Sequence, residues 1–152
     1  MCGIAGFLDL KRRLGGPQAA KLARTMADRV THRGPDAGGS WADPDAGIAL
    51  GFRRLSIIDL SAAGAQPMAS ASGRSVIAYN GEVYNADALR PALAASGIAF
   101  RGHSDTEAIL EACAAWGVEA VVPKRGINTL IPALKSAGAR DILEVPISKI
   151  VE

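Results

Sequence analysis

The chain has 152 residues, enough for one domain of ordinary size or for one domain with a short appendage. Lysine and arginine total 17 and aspartate and glutamate 15, so the formal net charge is +2. No basic run or face stands out, so there is no reason to expect binding to nucleic acid or to an anionic membrane. No stretch of about 18 or more apolar residues occurs, which excludes a membrane-spanning helix. The two cysteines, Cys2 and Cys113, are too few for a disulfide scaffold and favour a reducing cytoplasm.

A strand and a helix are predicted first. Residues 1–10 have the apolar content of a strand, and Pro17 suits the first turn of a helix after the break at Gly15-Gly16. Glycine and proline predict a loop over residues 31–40. The apolar residues that predict one buried helical face are Ala19, Leu22, Ala23, Met26, Ala27 and Val30.

The middle of the chain is predicted to contain two strands separated by a loop. Apolar residues alternate and then continue into residues 55–58, which predicts a half-buried strand. Residues 62–73 are small and polar and predict a loop. Residues 76–79 predict a short strand that ends at the turn signal Asn80-Gly81. The alternating residues of the first strand are Ile48, Leu50 and Phe52.

Pro91 decides where the next helix is predicted to begin. If Asp87 is the N-cap, Pro91 falls in the first turn, where no amide is required. If Asn85 is the N-cap, the proline lies deeper and costs about 3 kcal/mol. We therefore expect Asp87 to be the cap, Gly97 to end the helix and residues 98–100 to form a short strand.

A capping box is predicted at Ser104-Asp105-Thr106-Glu107. The helix that follows is expected to end at Gly117. Its predicted apolar face consists of Ile109, Ala112, Cys113 and Trp116. Beyond it, a strand, a helix and a strand are predicted over residues 118–123, 129–137 and 141–145.

Cys2 is the position most informative about chemistry. Removal of Met1 would leave a cysteine whose thiol and α-amino group belong to one residue. The unperturbed pKa values are about 7.7–8.0 for the amine and about 8.5 for the thiol, so near neutrality the two can exchange a proton. A nucleophile and its base are then supplied together. The alternative is that Cys2 is merely a small residue near the start of the chain.

Six motifs follow one another along the chain: Met1-Cys2-Gly3-Ile4-Ala5-Gly6-Phe7, His32-Arg33-Gly34-Pro35-Asp36, Arg53-Arg54-Leu55-Ser56-Ile57-Ile58-Asp59, Ala65-Gln66-Pro67-Met68, Tyr79-Asn80-Gly81-Glu82-Val83-Tyr84-Asn85 and Ser104-Asp105-Thr106-Glu107. Taken in this order, they resemble the glutaminase half of asparagine synthetases, a class II glutamine amidotransferase family with an N-terminal nucleophile. The resemblance covers about residues 1–120.

The resemblance implies a role for each matching residue. Cys2 would attack the side-chain amide of glutamine, giving a thioester and ammonia, and Asn80 with Gly81 would form the oxyanion hole. Arg54 would hold the α-carboxylate of glutamine and Asp105 its α-ammonium group. Neither His32 nor Arg33 is given a chemical role. Further glutamine-binding residues would be Leu55, Ser56, Ile57, Ile58 and Glu82.

Simpler interpretations exist for the same residues. Arg54 could be a surface cation, Asn80-Gly81 a hairpin turn and Asp105 a helix-start residue. Cys113 is most simply a buried thiol. Two histidines and no clustered cysteines provide no metal site, and the resemblance implies no cofactor for glutamine hydrolysis. ATP and Mg²⁺ would belong only to a synthetase domain that this sequence lacks.

The chain departs from the family pattern in two places. Phe52 stands where these enzymes often have a histidine. After Val118 the expected later strands are missing, and residues 121–152 resemble the C-terminal end of ATP phosphoribosyltransferase, a strand-helix-strand segment. We therefore expect an α+β chain: an N-terminal-nucleophile αββα sandwich over residues 1–120, truncated, followed by this tail.

The predicted function is that of a cytoplasmic glutaminase, the glutamine amidotransferase part of an asparagine synthetase-like enzyme. Its substrate would be L-glutamine, and a synthetase domain or acceptor outside this chain would use the ammonia. The alternatives are a catalytically inactive or amino-acid-binding fragment, and a regulatory module related to ATP phosphoribosyltransferase.

Overall fold

Three antiparallel strands form one sheet: β1 (Gly3–Leu8), β2 (Ala37–Asp43) and β3 (Ile48–Arg54). The computed structural model describes residues 1–57 and 59–117. β3 lies between the other two strands, and the strand predicted at the start of the chain is confirmed as β1. Because β1 and β3 are antiparallel, the start of β1 and the end of β3 lie at the same end of the sheet. Strand pairing therefore brings Cys2 and Arg54 to one end of the sheet.

The helix α1 (Gly16–Asp28) packs against one face of this sheet, with a proline in its first turn as predicted. The prediction of one buried face that includes the larger side chains is wrong, because Leu22 and Met26 are 44% and 37% exposed. A Cβ atom at Gly51 of β3 would collide with the carbonyl oxygen of Ala23. The helix approaches the strand so closely that only small side chains fit between them. The buried residues of α1 are Ala19, Ala23 and Ala27.

β2 begins at Ala37, inside the segment predicted to be a loop. The prediction of a loop is wrong there, because glycines such as Gly38 and Gly39 are more typical of turns than of strands. A Cβ atom on Gly38 would lie 2.9 Å from the guanidinium carbon of Arg24, and one on Gly39 would collide with the carbonyl oxygen of Gln66. Glycine in this strand admits the close approach of other segments.

The alternation predicted for β3 holds only in part. Phe52 is fully buried, whereas Ile48 is 38% exposed. The other face of the strand carries Ala49 and Arg53, which are both buried, because α1 covers that face. The strand ends at Arg54, so its predicted continuation into residues 55–57 is wrong.

A second sheet pairs β4 (Met68–Ala69) with β5 (Val76–Ile77) in antiparallel fashion. β4 lies inside the segment predicted to be a loop, which also contains a 3-10 turn over Ala62–Gly64. The partner of β5 precedes it in the chain, and among the described residues Asn80-Gly81 joins no pair of hydrogen-bonded strands. The hairpin interpretation of this dipeptide is therefore not supported.

The helix α2 (Ala86–Ala95) begins earlier than predicted, with Asn85 as its N-cap. The predicted cap Asp87 is wrong, and Pro91 lies inside the helix. Proline at that position leaves the carbonyl of Asp87 without its helical donor. Packing offsets this cost, since Leu93 on the same helix is fully buried.

The helix α3 (Asp105–Trp116) is capped by the Ser104 side chain, as predicted. The second half of the capping box does not form. Glu107 is 1% exposed, and its carboxylate accepts the backbone amides of Arg101 and Gly102 at 2.9 and 3.0 Å. The glutamate therefore stabilises the loop before the helix, and the side chain that caps the helix is that of Ser104.

The predicted apolar face of α3 is also wrong. Cys113 is half-buried and Trp116 is 54% exposed, whereas Glu111 is buried. Burial of Glu111 is possible because its carboxylate accepts the amide of Ala71 at 2.7 Å. Side chains of α3 satisfy backbone amides of neighbouring segments, and apolar periodicity does not report such contacts.

The described residues mix helices with antiparallel strands, in agreement with the expected α+β class. The strand predicted over residues 98–100 is not formed. The elements predicted after Gly117 lie outside the described residues. Within the described part, no helix is long and apolar enough to cross a membrane.

Replacing Gly51 with alanine is expected to lower the free energy of unfolding by about 1–3 kcal/mol, because the added methyl group must push α1 away from β3. Urea unfolding followed by circular dichroism measures this change. Gly16→Ala is the matched control, since a Cβ atom there meets only Pro44, at 3.7 Å. Equal stability of the two variants would contradict the close approach of helix and strand.

Candidate active site

A cavity of about 380 Å³ opens at the end of the sheet that carries Cys2. Small-molecule sites in proteins span about 300–1,000 Å³, so this volume suits a ligand of modest size. The structure brings together eight of the predicted site residues in its lining: Cys2, Arg54, Leu55, Ile57, Asn80, Gly81, Glu82 and Asp105. Ser56 is not part of the lining, and Ile58 lies outside the described residues. The other lining residues are Met1, Asp59, Gly64, Gln66, Ser104 and Thr106.

The sulfur of Cys2 is held by the backbone that follows β3. The amide of Leu55 lies 3.4 Å from Cys2 Sγ, and the thiol lies 3.6 Å from the Leu55 carbonyl oxygen. Met1 also lines the cavity and is 76% exposed, so its removal would free the amine of Cys2 at the cavity wall. The nucleophile predicted from the sequence therefore faces the cavity.

The motif His32 to Asp36, to which no chemistry was assigned, positions the backbone around the cavity. Nε of Arg33 donates to the carbonyl oxygen of Cys2 at 3.2 Å. The Asp36 carboxylate accepts the amide of Ser56 at 2.7 Å. The motif overlaps a 3-10 turn over Thr31–Arg33, which places the arginine beside the start of β1. The motif therefore fixes both Cys2 and the segment that contacts its sulfur.

Arg54 is 9% exposed, which excludes its interpretation as a surface cation. One terminal nitrogen donates to the carbonyl oxygen of Ser61 at 2.8 Å, and the other donates to the carbonyl oxygen of Asp59. A guanidinium group has five N–H donors, so these two bonds leave others for a ligand. A Cβ atom on Gly64 would collide with this guanidinium, so glycine is needed for the close approach.

Asp59 is a site residue that the sequence interpretation missed. Its carboxylate accepts the amide and the hydroxyl of Ser61 at 2.8 and 2.6 Å and the amide of His103 at 3.0 Å. The Ser61 hydroxyl, followed by the Ser61 amide, is the main cause that lowers the pKa of Asp59 to about 2. The spacing Asp59-x-Ser61 is typical of a side chain that closes its own turn, and it was the available signal.

The proposed oxyanion residues lie at the mouth of the cavity, where Asn80 and Gly81 are exposed. A Cβ atom on Gly81 would lie 2.5 Å from the hydroxyl oxygen of Tyr79, so the backbone passes directly beside the phenol ring. Burial, followed by the negative charge of Asp105, raises the pKa of Tyr79 above its usual value. The hydroxyl beside Gly81 therefore ionises less readily than that of an exposed tyrosine.

Gln66 is a second residue that the sequence interpretation missed. Its side-chain oxygen accepts the amide of Tyr79 at 2.6 Å, and its side-chain nitrogen donates to the hydroxyl of Thr106 at 3.2 Å. The buried amide thereby links the segment before Asn80 to the first turn of α3. The adjacent Gln66-Pro67 peptide bond is cis.

Asp105 begins α3 and is 9% exposed. Its carboxylate accepts the amide of Thr106 at 2.8 Å and the amide of Val83 at 2.9 Å. Within the described part of the chain, no lysine or arginine pairs with it. A buried carboxylate that lines a cavity without a cationic partner can accept a ligand's ammonium group.

Cys113 lies on α3 and does not line the cavity. The backbone amide of His103 donates to the Asp59 carboxylate. No contact among the described residues indicates a ligand for the His103 imidazole. In residues 1–57 and 59–117, no group of three or more His, Cys, Asp or Glu side chains could hold a metal ion.

The sequence of the chain matches a known protein family. A family profile described as a glutamine amidotransferase domain matches residues 1–136 of the chain. The chain belongs to the glutamine amidotransferase domain family. This confirms the resemblance that the ordered motifs indicated. The match includes residues 121–136, which the resemblance to ATP phosphoribosyltransferase assigns to a separate tail, so the boundary near residue 120 stays a prediction.

Curated relatives of this glutamine amidotransferase domain include three proteins named asparagine synthetase [glutamine-hydrolyzing]. Synthetase 3 of Bacillus subtilis is 36% identical over 129 residues, which cover 84% of this chain and 20% of the relative. Synthetase 1 of the same organism is 37% identical over 145 residues, covering 93% and 22%. Synthetase B of Escherichia coli is 40% identical over 110 residues, covering 72% and 19%. The chain thus spans about a fifth of the length of these relatives.

The low pKa of Asp59 predicts a pH-dependent contribution to stability. Because its folded pKa of about 2 lies below the ordinary value of 3.8, the contribution is present above pH 3.8 and is lost as the pH falls towards 2. The difference in unfolding free energy between the wild type and Asp59→Asn should therefore shrink over that pH range. Urea unfolding at a series of pH values measures it. A difference that stays constant with pH would contradict the assignment.

Proposed function

We propose that this glutamine amidotransferase domain hydrolyses L-glutamine to L-glutamate and ammonia through Cys2. The observation that carries the proposal is the position of the Cys2 sulfur in a cavity that Arg54, Asp105 and the Asn80-Gly81 segment also line. The cavity is lined by a nucleophile, a buried cation and a buried anion. These match the three polar groups of glutamine, which are its side-chain amide, its α-carboxylate and its α-ammonium group.

The proposed reaction begins after removal of Met1, when the free α-amine of Cys2 takes the thiol proton. The thiolate attacks the amide carbon of glutamine and forms a tetrahedral intermediate. The ammonium group then returns a proton to the departing nitrogen, the C–N bond breaks, and ammonia leaves a thioester. Water attacks the thioester with the amine again acting as base, and glutamate and the free thiol are released.

Negative charge on the carbonyl oxygen of the intermediate requires donors that are fixed in advance. We assign this role to the side-chain amide of Asn80 and the backbone amide of Gly81, which lie at the cavity mouth. Removal of one such donor typically costs about 3–4 kcal/mol of transition-state stabilisation. Gln66 supports this assignment, because its bond to the Tyr79 amide holds the segment that leads into Asn80.

The glutamine head group is assigned to the two buried charges. The free donors of Arg54 would bind the α-carboxylate, and the Asp105 carboxylate would bind the α-ammonium group. The remaining contacts are assigned to the segment after β3 and to the cavity mouth: Leu55, Ser56, Ile57, Ile58 and Glu82.

The wider context is also a proposal. The names of the relatives describe asparagine synthetases that hydrolyse glutamine, and this chain spans about a fifth of their length. We assign it only the glutaminase step, which needs no cofactor; ATP and Mg²⁺ would serve a synthetase domain. We propose an αββα sandwich as the complete fold and the cytoplasm, which keeps Cys2 reduced, as its location.

Ammonia release from L-glutamine tests the proposal, using full-length protein whose mass confirms loss of Met1. Cys2→Ala should lower the rate by at least about a thousandfold, because the nucleophile is lost. Cys113→Ala is the matched control and should keep the wild-type rate, since Cys113 does not line the cavity.

Equal rates for Cys2→Ala and the wild type would contradict the thioester mechanism. Binding of glutamine by the processed wild type without ammonia release would favour the alternative, an amino-acid-binding module that does not turn over.

A further inference from the structure

We infer that Asp59 is a positioning residue that sets the distance between Arg54 and Asp105, and thereby selects a ligand that carries both an α-carboxylate and an α-ammonium group. The inference rests on the proposed function, because it concerns the two charges assigned to the glutamine head group. Asp59 touches no reacting atom in this assignment and acts through its neighbours.

The Asp59 carboxylate forms a bridge between two segments, the turn over residues 59–61 and the segment before α3. The first half of this bridge holds Arg54. The guanidinium donates to the carbonyl oxygens of Asp59 and Ser61, so the turn over residues 59–61 is its platform. One carboxylate oxygen of Asp59, Oδ1, accepts both the amide and the hydroxyl of Ser61 at 2.8 and 2.6 Å. The carboxylate therefore closes the turn whose carbonyl groups orient the arginine.

The second half of the bridge reaches the start of α3. The other carboxylate oxygen of Asp59, Oδ2, accepts the amide of His103 at 3.0 Å, two residues before Asp105. A Cβ atom on Gly102 would lie 2.7 Å from Oδ2 of Asp59 and 2.7 Å from the Cβ atom of Ala63, so glycine permits the close approach of this segment to both residues. Arg90 secures the same segment by donating to the carbonyl oxygens of Gly102 and Ser104 at 3.0 and 2.7 Å.

A carboxylate is required at position 59 because both of its oxygens accept from N–H or O–H groups, and these belong to two separate segments. An amide side chain has only one acceptor oxygen, so an asparagine could serve Ser61 or His103 but would turn an N–H donor towards the other. Asp59 is 8% exposed, so an unmatched N–H donor at this position has little access to solvent. The pKa of about 2 keeps both oxygens available as acceptors at neutral pH.

The bridge has a consequence for ligand selection. L-Glutamine must contact Arg54 and Asp105 together, so its affinity depends on the distance between them. 4-Carbamoylbutanoate lacks the α-amino group, and 4-aminobutanamide lacks the α-carboxylate, so each needs only one of the two charges. Loosening the bridge should therefore weaken glutamine binding more than it weakens binding of either analogue.

The test is calorimetric titration of the three ligands into full-length Cys2→Ala protein, with and without Asp59→Asn. With Asp59 present, glutamine should bind about 10- to 100-fold more tightly than either analogue, as expected for one charged hydrogen-bonded contact. Asp59→Asn should lower this preference at least about tenfold. Asp9→Asn is the matched control, because it also replaces a carboxylate that accepts two backbone amides, those of Arg13 and Leu14 at 2.6 and 2.9 Å, but it does not line the cavity and should retain the preference.

Gly102→Ala serves as a second variant should Asp59→Asn fail to fold. Its added methyl group pushes the His103 segment away from Asp59 and should lower the preference in the same way. A preference for glutamine that Asp59→Asn or Gly102→Ala retains would overturn this inference alone. Equal weakening of all three ligands would also overturn it, since a purely structural role predicts that result. Absence of any preference in the Cys2→Ala parent would contradict the proposed function as well.

Discussion

The antiparallel pairing of β1 with β3 is the constraint on which the candidate site depends. It places the residue before β1 beside the residues after β3, so that the amide of Leu55 contacts the sulfur of Cys2. Chain termini are usually poorly ordered unless other contacts hold them. Here the pairing and the bond from Arg33 to the Cys2 carbonyl oxygen hold the start of the chain. Cys2, whose amine the proposed removal of Met1 would free, therefore has a fixed position.

Polar side chains connect the remaining parts of the cavity. Asp36, Asp59 and Gln66 each accept a backbone amide from a distant segment, and each segment carries a residue of the proposed site. The geometry of the cavity therefore depends on hydrogen bonds between side chains and distant backbone amides.

Local signals in the sequence predicted much of the fold and the lining of the cavity. Pro17 marked the start of α1, Ser104 marked the start of α3, and the ordered motifs indicated the residues that the cavity brings together. The failures have a common physical cause, which is contact between segments far apart in the chain. Gly38 and Gly39 permit close contact with Arg24 and Gln66 rather than forming a turn, and α2 begins after Asn85 despite Pro91. The spacing Asp59-x-Ser61 indicated only a local turn, whereas the contacts of Asp59 with His103 and of Gln66 with Tyr79 join residues that are 44 and 13 positions apart.

Covalent labelling of the processed protein tests the central claim most directly. A glutamine analogue with a diazomethyl ketone in place of the amide presents an electrophilic carbon to a nucleophile in the cavity. Mass spectrometry of the digested protein should find one adduct, on Cys2, and excess L-glutamine should suppress it. An adduct on Cys113 instead, or labelling of Cys2 that glutamine does not suppress, would contradict the account of this cavity as a glutamine site with Cys2 as its nucleophile.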